Sequence, residues 1–208
     1  MPRADLYLDQ IDLGKYFSEK ECKKCGLHSC KELVEKLHSG EFSFSDLKWF
    51  SRPRANALQV ALQAKKVLPA VPAIQLPQPG PTGLVQLNHP NPSDPVLVTS
   101  NSELTQQVLL AVLSTTTSPF FVLFVDTNGD TLDMAIILKT FTPQRIQQAI
   151  AESELETKAP ASFMLIPGLA ASMQAPIQSV TQLPVRVGPV CIAELPLFMG
   201  DKWEGSSA

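Results

Sequence analysis

Apolar and polar positions divide the chain into three zones. In the first, Leu33, Val34 and Leu37 place one apolar stripe on a short helix that Gly40 ends. A second helix is expected over residues 54–66, where Pro53 suits a helix start and Leu58, Ala61 and Leu62 share a face. In the last zone, short apolar runs alternate with helical periodicity. Val96–Ser100 reads as a strand, and residues 102–113 as a helix with Leu104, Val108 and Val112 four apart. Phe120–Val125 is apolar throughout, the mark of a strand covered on both faces. The turn signal Asp126-Thr127-Asn128-Gly129-Asp130 predicts that residues 132–138 return as a hairpin partner. Thr142 and Pro143 open a helix to about Leu155. Residues 163–166 and Val185–Val187 are further strands, Val190-Cys191-Ile192 reads as a core strand with Cys191 buried, and the tail from Trp203 reads as a frayed end. This alternation predicts a layered α/β C-terminal domain behind a small helical, metal-binding N-terminal module.

The middle zone differs in kind. Residues 67–95 carry eight of the chain's 18 prolines, which lack an amide donor and fix φ. That excludes a helix or a central strand, leaving a semi-rigid connector or an ordered loop packed on one module. The expected divisions are therefore 1–66, 67–95 and 96–208.

Charge and composition narrow the function classes. A net charge of −3, with 17 basic residues thinly spread, argues against nucleic acid. No apolar run approaches the ~20 residues that span a bilayer, and the first residues carry no apolar signal core. The cytoplasm is the expected location, and no membrane partner is expected. With three histidines and neither a nucleophile elbow nor a glycine-rich phosphate loop, no convergent catalytic constellation is apparent. Asp126, Asp130 and Asp133 crowd one turn, but their spacing fits an exposed turn better than a cation loop.

The cysteines carry the sharpest chemistry. Three of four lie within nine residues, Cys22-Lys-Lys-Cys25-Gly26-Leu-His28-Ser-Cys30. Cysteines two residues apart can hold one metal centre from a tight turn, and Gly26 lets the backbone bend around it. Cys30 opens the following helix, whose dipole favours a thiolate. Thiolates select iron–sulfur or zinc centres. His28 and His38 leave a Cys3His zinc site open as the competing occupant.

The Cys-x2-Cys-Gly-x3-Cys run, its helix and Gly40-Glu41 resemble the four-iron–four-sulfur domain of the large (gamma) subunit of the corrinoid iron–sulfur protein, from the acetyl-CoA synthase/CO dehydrogenase system. A second stretch, Pro95-Val-Leu-Val-Thr99-Ser-Asn101, resembles the start of that family's corrinoid-binding domain. Asp126-Thr127-Asn-Gly129, Thr140-Phe141, Leu165-Ile166-Pro167 and Gly188-Pro189-Val190 follow in the family's order. The resemblance implies a cobamide resting near Thr99, Asn101, Thr127, Gly129, Thr140, Gly188 and Pro189, and a cluster at Cys22, Cys25 and Cys30 that returns oxidised cobalt to its nucleophilic state. It implies anaerobic one-carbon metabolism and a protein partner: a methyltransferase, the small corrinoid-protein subunit or an acetyl-CoA synthase.

Three departures shape the expectation. The family's fourth cysteine aligns with Leu47, so the remaining ligand would come from Asp46, His38, water or a partner. The family's intervening TIM barrel is replaced by the Pro-rich connector. The small residues beneath the corrin are replaced by the bulky run of residues 132–139, with Asp133 in place of an aromatic. The expected role is a cluster-bearing accessory or electron-delivery protein, or a corrinoid methyl carrier, rather than a stand-alone catalyst. An interaction module with zinc or an empty site is the alternative.

Overall fold

A computed structural model of the chain describes residues 3–43, 47, 49–74 and 76–206. Five strands form one sheet: β1 (Gly83–Leu87), β2 (Val96–Ser100), β3 (Phe120–Val125), β4 (Met164–Ile166) and β5 (Val185–Val187). Their order is β1-β3-β2-β4-β5, with β1 antiparallel to β3 and the other pairs parallel. The chain enters the parallel set at β2, crosses to β3 on one side, then returns past β2 to β4 on the other. The winding direction therefore reverses between β2 and β4, the position where open α/β sheets leave a crevice.

Strand β3 shows why the sheet sits at the centre. Phe120, Val122 and Phe124 belong to one apolar cluster, and Phe121, Leu123 and Val125 to the other. All six are buried, as period-two alternation requires of a strand covered on both faces. On the second face lie α6 (Leu132–Ile137), α7 (Pro143–Glu152), α8 (Leu155–Lys158) and α9 (Gln174–Thr181), supplying Ala135, Ile146, Leu155 and Ile177. Helix α7 starts as expected: Thr142 accepts the Arg145 amide at 3.3 Å and Pro143 fills the first turn.

The first face carries α5 (Glu103–Leu113), α10 (Leu195–Met199) and the N-terminal helices α1 (Glu19–Lys24), α2 (Cys30–Ser39), α3 (Arg52–Leu62) and α4 (Ala64–Val67). Helix α2 has the expected bounds, capped by Ser29 and closed by Gly40 at φ 79°. The region expected as 54–66 is divided at Gln63 into α3 and α4. Leu33, Leu47 and Leu58 share one apolar cluster with Leu97, Val122 and Leu197, so the described core does not divide at the connector.

Four expectations are corrected. The partner of β3 is β1, drawn from the Pro-rich segment at the sheet's edge, where proline-bearing stretches are tolerated. Residues 132–138 are not a returning strand but carry α6, because both edges of β3 are already paired, by β1 and by β2. Residues 190–192 lead into a 3-10 turn (Ile192–Glu194) rather than a strand, although Cys191 is buried and its thiol is pushed up to about 11 by that burial. The tail is not frayed at Trp203, which is fully buried against Phe120 with ring centroids 5.8 Å apart.

Candidate binding groove and cysteine turn

At the reversal point the carboxyl ends of the parallel strands open into a cavity of about 600 Å³. Residues 97–99 of β2, 165–167 at the end of β4 and 188–190 after β5 form its floor. Leu104, Thr105 and Val108 of α5 form one wall, and residues 132–134 of α6 form another. Residues 4–7 and 72–74 border the open side. A mostly apolar hollow with a few convergent polar groups, at this place in an α/β sheet, is the expected form of a ligand site. The floor permits no added bulk beside it, since a Cβ on Gly168 would lie 2.7 Å from the Val190 amide nitrogen.

The structure divides the seven residues expected to meet a cofactor into two groups. Thr99, Gly188 and Pro189 line the groove. Asn101, Thr127, Gly129 and Thr140 do not; they form a hydrogen-bonded knot beyond the ends of β2 and β3. Asn101 Oδ1 accepts from the Thr127 amide at 2.9 Å, the Thr127 hydroxyl at 3.0 Å and the Gly129 amide at 3.3 Å. Asn101 Nδ2 donates to the Gly80 carbonyl at 3.2 Å. The Thr140 hydroxyl donates to Asp130 Oδ2 at 2.9 Å. Asp130 is buried rather than exposed, a further correction to the turn expected there. Gly129 has φ +80°, and a Cβ there would come within 2.4 Å of the Pro79 nitrogen. The close approach at this glycine is taken by the connector itself.

Asp133 faces the groove from α6. It accepts from the Tyr7 hydroxyl at 3.3 Å and the Thr131 hydroxyl at 2.5 Å. Burial and the Asp133 charge raise the Tyr7 phenol above its ordinary range. Leu6 and Tyr7 both adopt left-handed backbone conformations, at φ 53° and 60°, which cost non-glycine residues about 1 kcal/mol or more each. Sequence reasoning missed this segment because its residues follow neither a helical nor a strand period. A paired αL conformation leaves no such signal.

The cysteine turn lies among the N-terminal helices on the first face of the sheet. Helix α1 begins with a reciprocal Ser18–Glu21 capping box, Cys25 caps its end, and Gly26 follows at φ 71°. Cys30 is the first residue of α2. Cys22 and Cys30 are joined as a disulfide with Cα atoms 5.3 Å apart, and Cys25 is half-buried outside that bond. His28 and His38 are exposed; Asp46 lies outside the described residues. Leu47 is 2% exposed within the apolar cluster. Among the described residues no group of three or more His, Cys, Asp or Glu is placed to hold a metal ion. In this bonded form the donor set does not fit a four-sulfur cage: two sulfurs are spent on each other and the fourth position is a core leucine.

Between turn and groove runs a polar junction. The Tyr16 hydroxyl donates to Glu194 Oε1 at 2.6 Å, and Lys15 pairs with the same carboxylate, which is almost wholly buried. Burial, then Glu194, pushes the Tyr16 phenol far above its usual range. Arg54 pairs with Glu21 at 2.6 Å and donates to the Tyr16 carbonyl. Burial works to raise the Glu21 carboxyl, yet Arg54 and Ser18 hold it down at about 2. Among the described residues no helix is long and apolar enough to cross a membrane.

Comparison with known proteins supplies the family. Residues 61–199 match the family described as the CO dehydrogenase/acetyl-CoA synthase delta subunit. The acetyl-CoA decarbonylase/synthase complex subunit gamma of Methanopyrus kandleri is 30% identical over 123 residues, 59% of this chain and 27% of the relative. That of Archaeoglobus fulgidus is 30% identical over 121 residues, 58% of this chain and 26% of the relative. That of Methanocaldococcus jannaschii is 22% identical over 202 residues, 93% of this chain and 41% of the relative. The chain thus spans about a quarter of the first two and 41% of the third.

Proposed function

The chain belongs to the CO dehydrogenase/acetyl-CoA synthase delta subunit family, and from that premise we propose that it serves corrinoid-dependent methyl transfer in one-carbon metabolism as an accessory, electron-delivering protein. One observation carries the reading. The segments that resemble the corrinoid-binding domain assemble a groove at the carboxyl ends of β2, β4 and β5, but α6 and residues 4–7 narrow it. A bound corrinoid would bring the methyl-carrying cobalt; the protein would supply shape and exclusion of water.

Thr99, Gly188 and Pro189 are the residues that would meet the macrocycle. Met134 on α6 adds bulk where a flat ring would need small neighbours, and forcing such bulk aside costs of order 1–3 kcal/mol. A tight complex with the isolated chain is therefore disfavoured. A protein partner fits this picture: Met134, Ile137 and Leu138 leave apolar surface exposed on and after α6, and the relatives are named as subunits of a complex. A methyltransferase, the small corrinoid-protein subunit or an acetyl-CoA synthase is the partner class.

Cys22, Cys25 and Cys30 are proposed as the metal-binding residues of the reduced protein. Opening the disulfide frees two thiols beside a third, and the start of α2 favours the thiolate of Cys30. Three thiols without a fourth suit an iron–sulfur centre completed by a ligand from outside, with zinc the competing occupant.

Titration of the isolated chain with hydroxocobalamin, followed by its visible spectrum, tests the accessory role. Weak or undetectable binding is expected. Micromolar or tighter affinity overturns the accessory role and restores a methyl carrier.

A further inference from the structure

We infer that residues 3–7 form a displaceable strap that closes the groove, with the Tyr7–Asp133 hydrogen bond as its latch. The inference deepens the functional reading, since it rests on the groove being a binding site. None of residues 3–7 is buried, whereas Leu97, Thr99 and Ile166 on the floor beneath are 5%, 6% and 0% exposed. The segment borders an apolar hollow, and its Leu6 and Tyr7 side chains pack on the core only as partly buried groups.

Its attachments are few. The Ala4 amide donates to the Val71 carbonyl at 2.9 Å, and Arg3 bridges Pro72. Among the described residues, the strap's hydrogen bond across the groove to α6 is that of the Tyr7 hydroxyl to Asp133 at 3.3 Å. Leu6 and Tyr7 are held in left-handed conformations that released chain would leave. The C-terminal tail is the contrast: it is pinned by fully buried Trp203 and by a Ser206–Thr115 backbone bond. A weakly anchored segment over an apolar cavity lowers apparent affinity by the fraction of time it is closed.

The test uses the full chain with two probes, the apolar-surface dye 8-anilinonaphthalene-1-sulfonate and hydroxocobalamin. Tyr7→Phe removes the latch alone, and Tyr7→Ala also removes the covering ring. With unchanged thermal unfolding, dye affinity is expected to rise roughly fivefold in Tyr7→Phe and further in Tyr7→Ala. Val108→Trp, which narrows the groove from α5, should cancel the gain. Unchanged affinity, or a gain that survives Val108→Trp, overturns the strap. Weaker binding does so too, because Tyr7 then contacts the probe rather than excluding it. A dye gain with cobalamin binding still weak or undetectable supports the strap and the accessory role together; a parallel rise of cobalamin affinity into the micromolar range supports the strap and overturns the accessory role.

Discussion

The cysteine turn and the groove differ in how their chemistry is assembled. Cys22, Cys25 and Cys30 are brought together by eight residues of local chain, one glycine and two helix ends. The groove draws on the amino-terminal strap, the Pro-rich segment, α5, α6 and three strand ends. A local motif takes its geometry from the residues beside it, here the Ser18–Glu21 capping box, Gly26 and the start of α2. A dispersed site depends on every contributor, α6 among them.

The comparison breaks most completely if the two regions are separated. A fragment beginning at Asn88 lacks β1 and helices α1–α4, which supply part of the cover on one face of the sheet. Val122, Phe124 and Leu113 would lose cover worth about 1.5–3 kcal/mol for each large side chain. The fragment is expected to aggregate or unfold without cooperativity, as gel filtration and calorimetry would show. A soluble fragment with a sharp transition would restore separable modules.

Asn101→Ala is next in size. It removes the acceptor of the Thr127 and Gly129 amides and the donor to Gly80, leaving buried groups unpaired at about 1–3 kcal/mol each. A loss of roughly 3 kcal/mol or more in chemical denaturation is expected, with the groove reshaped while the cysteine turn is spared.

Leu47→Cys sharpens the other side. Supplying a fourth thiol should raise iron retained by anaerobically reconstituted protein and slow its loss to a chelator, against a core cost of about 1–3 kcal/mol. Equal iron content in variant and parent would mean that position 47 does not face the sulfurs.

The smallest effect concerns the junction. Glu21 is held at about 2 in the folded state, below its ordinary 4.5. Its stabilisation is thus present above about pH 4.5 and is lost as pH falls toward 2. Glu21→Gln should be less stable near neutrality and flatter across that acid window, the two proteins converging near pH 2. Parallel pH curves would exclude the Arg54 pairing as the cause.

Legibility in the sequence followed the same division. Helix α2, the buried strand β3 and the β2 strand were readable because each is set by local periodicity and caps. That the three cysteines meet in one local turn was readable for the same reason; the Cys22–Cys30 bond was not. The segment after the Asp126–Asp130 turn was misread because the edge of β3 it would have joined is filled by β1, which comes from the Pro-rich stretch far upstream. Trp203 passed for a loose end because its partner, Phe120, is more than 80 residues away. Asn101, Thr127, Gly129 and Thr140 were grouped with Thr99 and Gly188 by their order in the family, yet order along the chain does not say which side chains face a cavity and which tie a turn.

The central claim is that the carboxyl ends of β2, β4 and β5 form the corrinoid-facing surface. Methyl and amide NMR shifts during titration with millimolar cobinamide test it most directly. The account predicts perturbations at Thr99, Met134, Gly188 and Val190, with Met164 and the cysteine turn unmoved. Shifts confined to the cysteine turn, or to α7 and β1, would contradict it.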